Sequence, residues 1–168
     1  MNRGVFLNII RFILLVLVQV LIFNSLNFFG YINPIVYIMF LYWYPIKENR
    51  VAFICLSFIL GLSVDFFSDT MAIHAAATTT IAYLRPAIMR FVFGINYDFQ
   101  SFKLSNTTKA QQFTFLALLI LAHHSIYFSL EIFNTTHLLL IAKKVLSNGI
   151  ASLILCLLFS TLFSTRKE

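Results

Sequence analysis

One stretch, residues 51–91, constrains the fold of this chain more than any other: VAFICLSFILGLSVDFFSDTMAIHAAATTTIAYLRPAIMRF. Most of it is apolar, yet about 40 residues cannot cross a bilayer once, because one helical crossing takes about 20. A tight turn is therefore expected near 68–70, with windows 51–67 and 71–91 forming a helical hairpin. Four more apolar windows, 4–23, 32–46, 113–132 and 145–163, raise the expected count of membrane helices to six. Window 32–46 is short; it is expected to borrow from 26–31 or to sit where the bilayer thins.

Composition agrees with a bilayer as solvent. The 168 residues are 60% hydrophobic and 11% charged, whereas soluble domains carry about 25% charged residues. The expectation is one all-α integral membrane domain over 1–168. The basic N-terminus and the apolar run after it look like a signal peptide, but no small-x-small cleavage pattern follows, so 4–23 is read as a retained span. The net charge of +6 does not indicate nucleic acid, because the basic residues are scattered between apolar segments. They fit the positive-inside rule instead. With six spans, ten of the twelve Lys and Arg fall on the side of the termini, and only Lys143 and Lys144 on the other. Both termini are expected to be cytoplasmic. Residues 138–142 are expected to lie along the outer interface before the sixth span begins at 145.

The connections carry further expectations. KENR at 47–50 should make the second and third helices antiparallel neighbours. Along the longest connection, Phe93, Tyr97, Phe99 and Phe102 are placed either at headgroup level, with Lys103 and Lys109 facing anionic lipid, or in a solvated loop. Cys55 and Cys156 lie inside apolar runs without metal-ligand spacing and are read as buried packing residues.

The polar groups sort by depth. Ser57, Gly61 and Asp65 recur every four residues and share one helix face; small residues there suit close helix packing, within the protein or with a partner. At about 1.5 Å per residue, the 14 residues of 51–64 put Asp65 about 21 Å above the cytoplasmic loop. A carboxylate at that depth caps the turn or belongs to a polar site opening outward. His74, Thr78 and Arg85 share a stripe of the fourth helix. His74 is the expected partner of Asp65. Arg85 lies about 16 Å lower and is expected to snorkel to the cytoplasmic headgroups, with Pro86 kinking the helix and Arg90 at the same interface. AAATTT at 75–80 supplies small, packing-competent residues. His123 and His124 point about 100° apart and do not share a metal ion. His124, Tyr127 and Glu131 form a polar stripe. Asp65, Asp69, His74 and Glu131 have a common expected depth and are expected to face one outward cavity. No nucleophile with a matched base, phosphate loop or convergent carboxylate pair is present, so no catalytic site, metal or cofactor is expected.

The stretch GLSVDFFSDTMAIHAAATTTIAYLRP, about 26 residues, resembles the characteristic segment of MreD, the rod shape-determining membrane protein family, in the form found in Bacteroidetes-type members. Gly61, Leu62 and Asp65 match its Gly-Leu-x-x-Asp turn; His74, the small residues and Arg85-Pro86 match the helix after it. Ala72 departs from the glycine of many members, which bears on the geometry of the turn. The resemblance implies a six-helix fold similar to the substrate-binding subunits of energy-coupling-factor transporters. It also implies a non-enzymatic subunit of the peptidoglycan elongation machinery in the bacterial inner membrane, associated with MreC, with RodA and its transpeptidase, and through MreC with MreB. Because fold does not fix function, a vitamin-binding membrane subunit is the rival expectation.

Overall fold

The structure is a computed structural model that describes residues 3–24, 32–46, 49–94 and 102–162. These residues are mostly helical, without a strand among them. Helix α1 (Arg3–Val18) passes into a π-helical turn (Gln19–Phe23); α2 (Ile38–Trp43), α3 (Arg50–Ser68), α4 (Ile73–Phe93), α5 (Lys109–Ile132) and α6 (Leu138–Leu162) follow. Four stretches are long and apolar enough to cross a membrane: Phe6–Phe23, Arg50–Ser68, Lys109–Ile132 and Leu138–Leu162. At 21 residues α4 has the length for a crossing, about 32 Å, but His74, Thr78, Thr79, Thr80, Arg85 and Arg90 dilute its apolar character.

The bundle has an apolar exterior around a largely apolar core that also encloses polar groups. Leu21, Phe66, Met71, Phe91 and Leu139 are exposed, while Gln19, Asp65, His74, Arg85, His123, His124 and Asn148 are buried. Such an exterior suits lipid; such an interior requires internal hydrogen bonding.

The 51–91 stretch folds as its length demanded. Asn49 caps α3 by accepting from the Val51 N–H at 2.9 Å. The helix ends where Asp69 enters the left-handed region at φ 54°, and Ala72 repeats that conformation at φ 59° just before α4. Helices α3 and α4 then pack closely, α4 packs on α5, and α5 on α6. Helix α5 starts with a Thr108–Gln111 capping box, whose paired side chains satisfy two otherwise orphaned N–H groups.

Several expectations are corrected. Window 32–46 is not one helix: residues 33–36 are non-helical, and α2 has six residues, about 9 Å. Pro34 disfavours helical backbone at Asn33, and the N–H groups of Asn33, Ile35 and Val36 are taken by the side chains of Asn148, Ser152 and Gln19. Helix α2 packs on α1, α4 and α5, so the KENR connection does not make α3 its chief neighbour. The last helix starts at Leu138 and runs unbroken through 145, so residues 138–142 belong to it. Phe93 is buried and meets Phe102 and Phe115 ring to ring at 5.2 and 5.4 Å; these two aromatics face inward. Tyr97 and Phe99 lie outside the described residues. Cys156 is buried as expected, but Cys55 is exposed on α3.

Candidate functional site

The hairpin is locked by Asp65. Its Oδ1 accepts from the His74 N–H at 3.0 Å and from the Thr70 hydroxyl at 2.5 Å, and its Oδ2 accepts from the Ala75 N–H at 2.7 Å. A carboxylate thus caps the N-terminus of α4 from the neighbouring helix. It satisfies orphaned donors and opposes the positive end of the helix dipole. Of the two readings of Asp65, the structure bears out the cap. Its partner is the backbone of His74, not the imidazole.

Four residues before Asp65, Gly61 lets the helices meet. A Cβ there would come within 2.5 Å of the Ala75 Cα and would also strike the Thr78 hydroxyl. Ser57, one turn further, is fully buried and bonds back to the Phe53 C=O at 2.8 Å. The Ser57–Gly61–Asp65 face is therefore used inside the protein. Thr78 is equally buried and bonds the His74 C=O at 2.7 Å.

The His74 ring turns the other way. Its Nδ1 meets the Tyr37 hydroxyl at 2.7 Å, and the same hydroxyl meets His123 Nε2 at 3.1 Å. A hydroxyl has one proton, so Tyr37 donates to one imidazole and accepts from the other. The tautomers of His74 and His123 are thereby coupled through one oxygen. His123 Nδ1 is buried without a partner. His124 is bonded separately, to the Ile120 C=O at 2.9 Å and the Ser152 hydroxyl at 3.1 Å. The adjacent histidines serve different neighbours, and no cluster suited to a metal ion occurs among the described residues.

Above this cluster lies a cavity of about 440 Å³, lined by polar groups that include Gln19, Asn33, His74, Tyr127, Glu131 and Lys144. Glu131 pairs with Lys144 at 3.0 Å across α5 and α6. The expected gathering of acidic groups is partial. Glu131 and His74 line the cavity; Asp65 is consumed by the cap below it, and Asp69 sits exposed at the end of α3.

The floor of the cavity contains residues that the polar-stripe argument missed. Gln19 accepts from the Val36 N–H at 2.8 Å and donates to the Pro34 C=O at 3.1 Å. Asn148 accepts from the Asn33 N–H at 2.7 Å, and Ser152 from the Ile35 N–H at 2.8 Å. Non-helical backbone inside an apolar bundle persists only where such partners exist. The signal was available: an amide in the middle of an apolar run, as at Gln19 and Asn148, is costly unless it has an internal partner. Gln19 also opens the π-helical turn, a distortion that often marks special sites.

At the opposite end Arg85 is buried, 4% exposed, and does not snorkel. Its Nη2 donates to the Tyr44 C=O at 2.6 Å and the Tyr42 C=O at 3.4 Å, closing the end of α2. The rings of Phe53 and Phe115 lie 5.0 and 5.9 Å from its Cζ. Helix α4 continues through half-buried Pro86 to Phe93, with Arg90 exposed in its last turn. Comparison of the chain with family models, with curated proteins and with solved structures finds no match.

Proposed function

We propose that this chain is a multi-pass scaffold of the bacterial inner membrane, an MreD-type subunit of the cell-elongation machinery that holds MreC and thereby supports peptidoglycan synthesis by RodA and its transpeptidase. The observation that carries this reading is the role of the signature stretch. Gly61 spends its small size and Asp65 its carboxylate on the α3–α4 junction, where Ala75 and Thr78 pack against Gly61 and the backbone N–H groups of His74 and Ala75 meet Asp65. A motif whose chemistry is used to hold two helices together suits a protein that contributes shape. In this reading α4 is a further span, and 32–46 crosses as a broken one, from Asn33 beside Asn148 to Tyr44 beside Arg85. That gives six crossings with both termini cytoplasmic by the Lys and Arg balance, a layout similar to that of the energy-coupling-factor subunits.

The test is genetic and biochemical. Depletion in a rod-shaped host should round the cells, and the tagged protein should copurify with MreC. Cells that keep their shape, together with loss of that copurification, would refute the scaffold. The cavity of about 440 Å³ supports the vitamin-binding rival, since ligand sites are concave with a few placed polar groups. Native mass spectrometry of gently purified protein separates the two: a stoichiometric small molecule in that cavity favours the rival.

A further inference from the structure

The guanidinium of Arg85 is buried and only partly hydrogen-bonded to the described residues. Its two hydrogen bonds both come from Nη2. Nε is sealed from the surface without a partner among the described residues, and Nη1 makes no hydrogen bond to a described residue. A guanidinium has five N–H donors and cannot shed its charge. Capping two carbonyls needs only one nitrogen, and the aromatic faces of Phe53 and Phe115 offset part of the charge. What remains is a buried cation with no carboxylate beside it among the described residues, an arrangement that is costly when left so. Among the described residues the one ion pair, Glu131–Lys144, lies at the other end.

Two cavities adjoin this cation. One, of about 90 Å³, is lined by Arg85 together with Arg50, Phe53 and Met89. The other, of about 310 Å³, is lined by Arg85 together with Trp43, Phe102 and Lys103. Each therefore carries a second basic residue, and neither has an acidic one among its described lining residues. The level in the bundle is also fixed. Arg50, the first residue of α3, donates to the Tyr83 C=O at 3.3 Å and lies over the Tyr83 ring. Arg85 is thus level with the start of a membrane-length helix, where headgroups lie.

We propose that Arg85, flanked by Arg50 and Lys103, is an anion site that takes a phosphate oxyanion. Basic pockets between membrane helices bind anionic headgroups by this chemistry, and a free phosphate offers the same oxygens. The apolar parts of both walls suit the glycerol and upper acyl chain of a lipid. The site is independent of which function the cavity at the far end serves.

The test uses the full chain in a neutral detergent, titrated with short-chain phosphatidylglycerol, short-chain phosphatidylcholine or inorganic phosphate. Two readouts follow it: the melting temperature and the emission of Trp43, the single tryptophan, which lines the larger cavity. Phosphatidylglycerol should raise the melting temperature and shift the emission saturably, with phosphatidylcholine much weaker. Arg85→Gln should weaken the apparent affinity about tenfold or more, the scale of losing a charged hydrogen-bonding partner. The Arg50→Gln/Lys103→Gln pair should weaken it severalfold, and it carries the test if Arg85→Gln does not fold. An equal saturable response to inorganic phosphate alone supports the site with a free anion as its source. No response to either anion, equal responses to the two lipids, or affinity unchanged in the variants overturns the proposal.

Discussion

Asp65 and Ala75 are joined by a 2.7 Å hydrogen bond from the backbone N–H of the second to the carboxylate of the first, across the turn between two helices. The same carboxylate holds the N–H of His74 at 3.0 Å and is 4% exposed. An isosteric amide retains one acceptor oxygen and presents an NH2 group to a backbone donor. Asp65→Asn should therefore cost about 2 kcal/mol or more, since hydrogen bonds to charged groups are worth about 1.5–3 kcal/mol each. Reversible unfolding in mixed micelles measures it. A variant within about 0.5 kcal/mol of the parent, the usual range for an inconsequential surface change, contradicts the cap.

Gly61 and Gly149 should respond oppositely to alanine. At Gly61 the added methyl lands within 2.5 Å of the Ala75 Cα, whereas at Gly149 its nearest neighbour is the Ile120 Cγ2 at 3.9 Å. Backbone cannot yield as a side chain can, so Gly61→Ala should cost about 3 kcal/mol, the upper range for overpacking. Gly149→Ala should be neutral or gain up to about 1 kcal/mol from reduced chain entropy. Parallel melting curves of the two variants decide it.

Ala72 adopts φ 59° without the freedom of a glycine. A left-handed conformation costs a residue with a Cβ about 1–2 kcal/mol. Ala72→Gly should thus stabilise the chain by about 1 kcal/mol, an unusual sign for a substitution to glycine beside a helix. A lowered melting temperature would show that the turn is built otherwise.

How much of this was readable beforehand follows from the physics of each part. The hairpin was legible because length is a hard constraint: 51–91 is too long for one crossing. The shared stripe of His74, Thr78 and Arg85 was legible because helical periodicity places all three on one face, and all three are buried. The fate of Arg85 was not. Depth arithmetic gave its level but could not show that the ends of two tyrosine carbonyls and two phenylalanine rings would enclose it. Tyr37 was invisible for a related reason: its neighbours His74 and His123 come from windows far away in the chain, and no local pattern records that meeting. Pro34, by contrast, was a local signal that the start of window 32–46, at Asn33, would be non-helical.

The Tyr37 hydroxyl between His74 and His123 lends itself to a double-mutant cycle. Tyr37→Phe leaves two buried imidazole nitrogens unsatisfied, and His123 already has one without a partner. The expected cost is about 2 kcal/mol, within the range of about 1–3 kcal/mol for a stranded buried polar group. Adding His123→Leu removes one of those stranded groups, so the double variant should be more stable than the sum of the single effects. Additive costs would mean that the hydroxyl does not bridge the two rings.

Single cysteines in a background without Cys55 and Cys156 test the layout of the bundle. Asp69 is exposed beside the α3–α4 turn, and Glu131 lines the cavity with its side chain 35% exposed, whereas Asp65 is sealed by its own hydrogen bonds. In the proposed orientation, an impermeant maleimide applied to intact cells should label cysteine at 69 and 131 quickly. Cysteine at 65 should react only after denaturation, and cysteine at 103 only after lysis, because Lys103 is exposed toward the Arg85 end. Rapid labelling at 103 with silence at 69 and 131 would invert the orientation, because the two sets lie at opposite ends of helices that run antiparallel through the bundle.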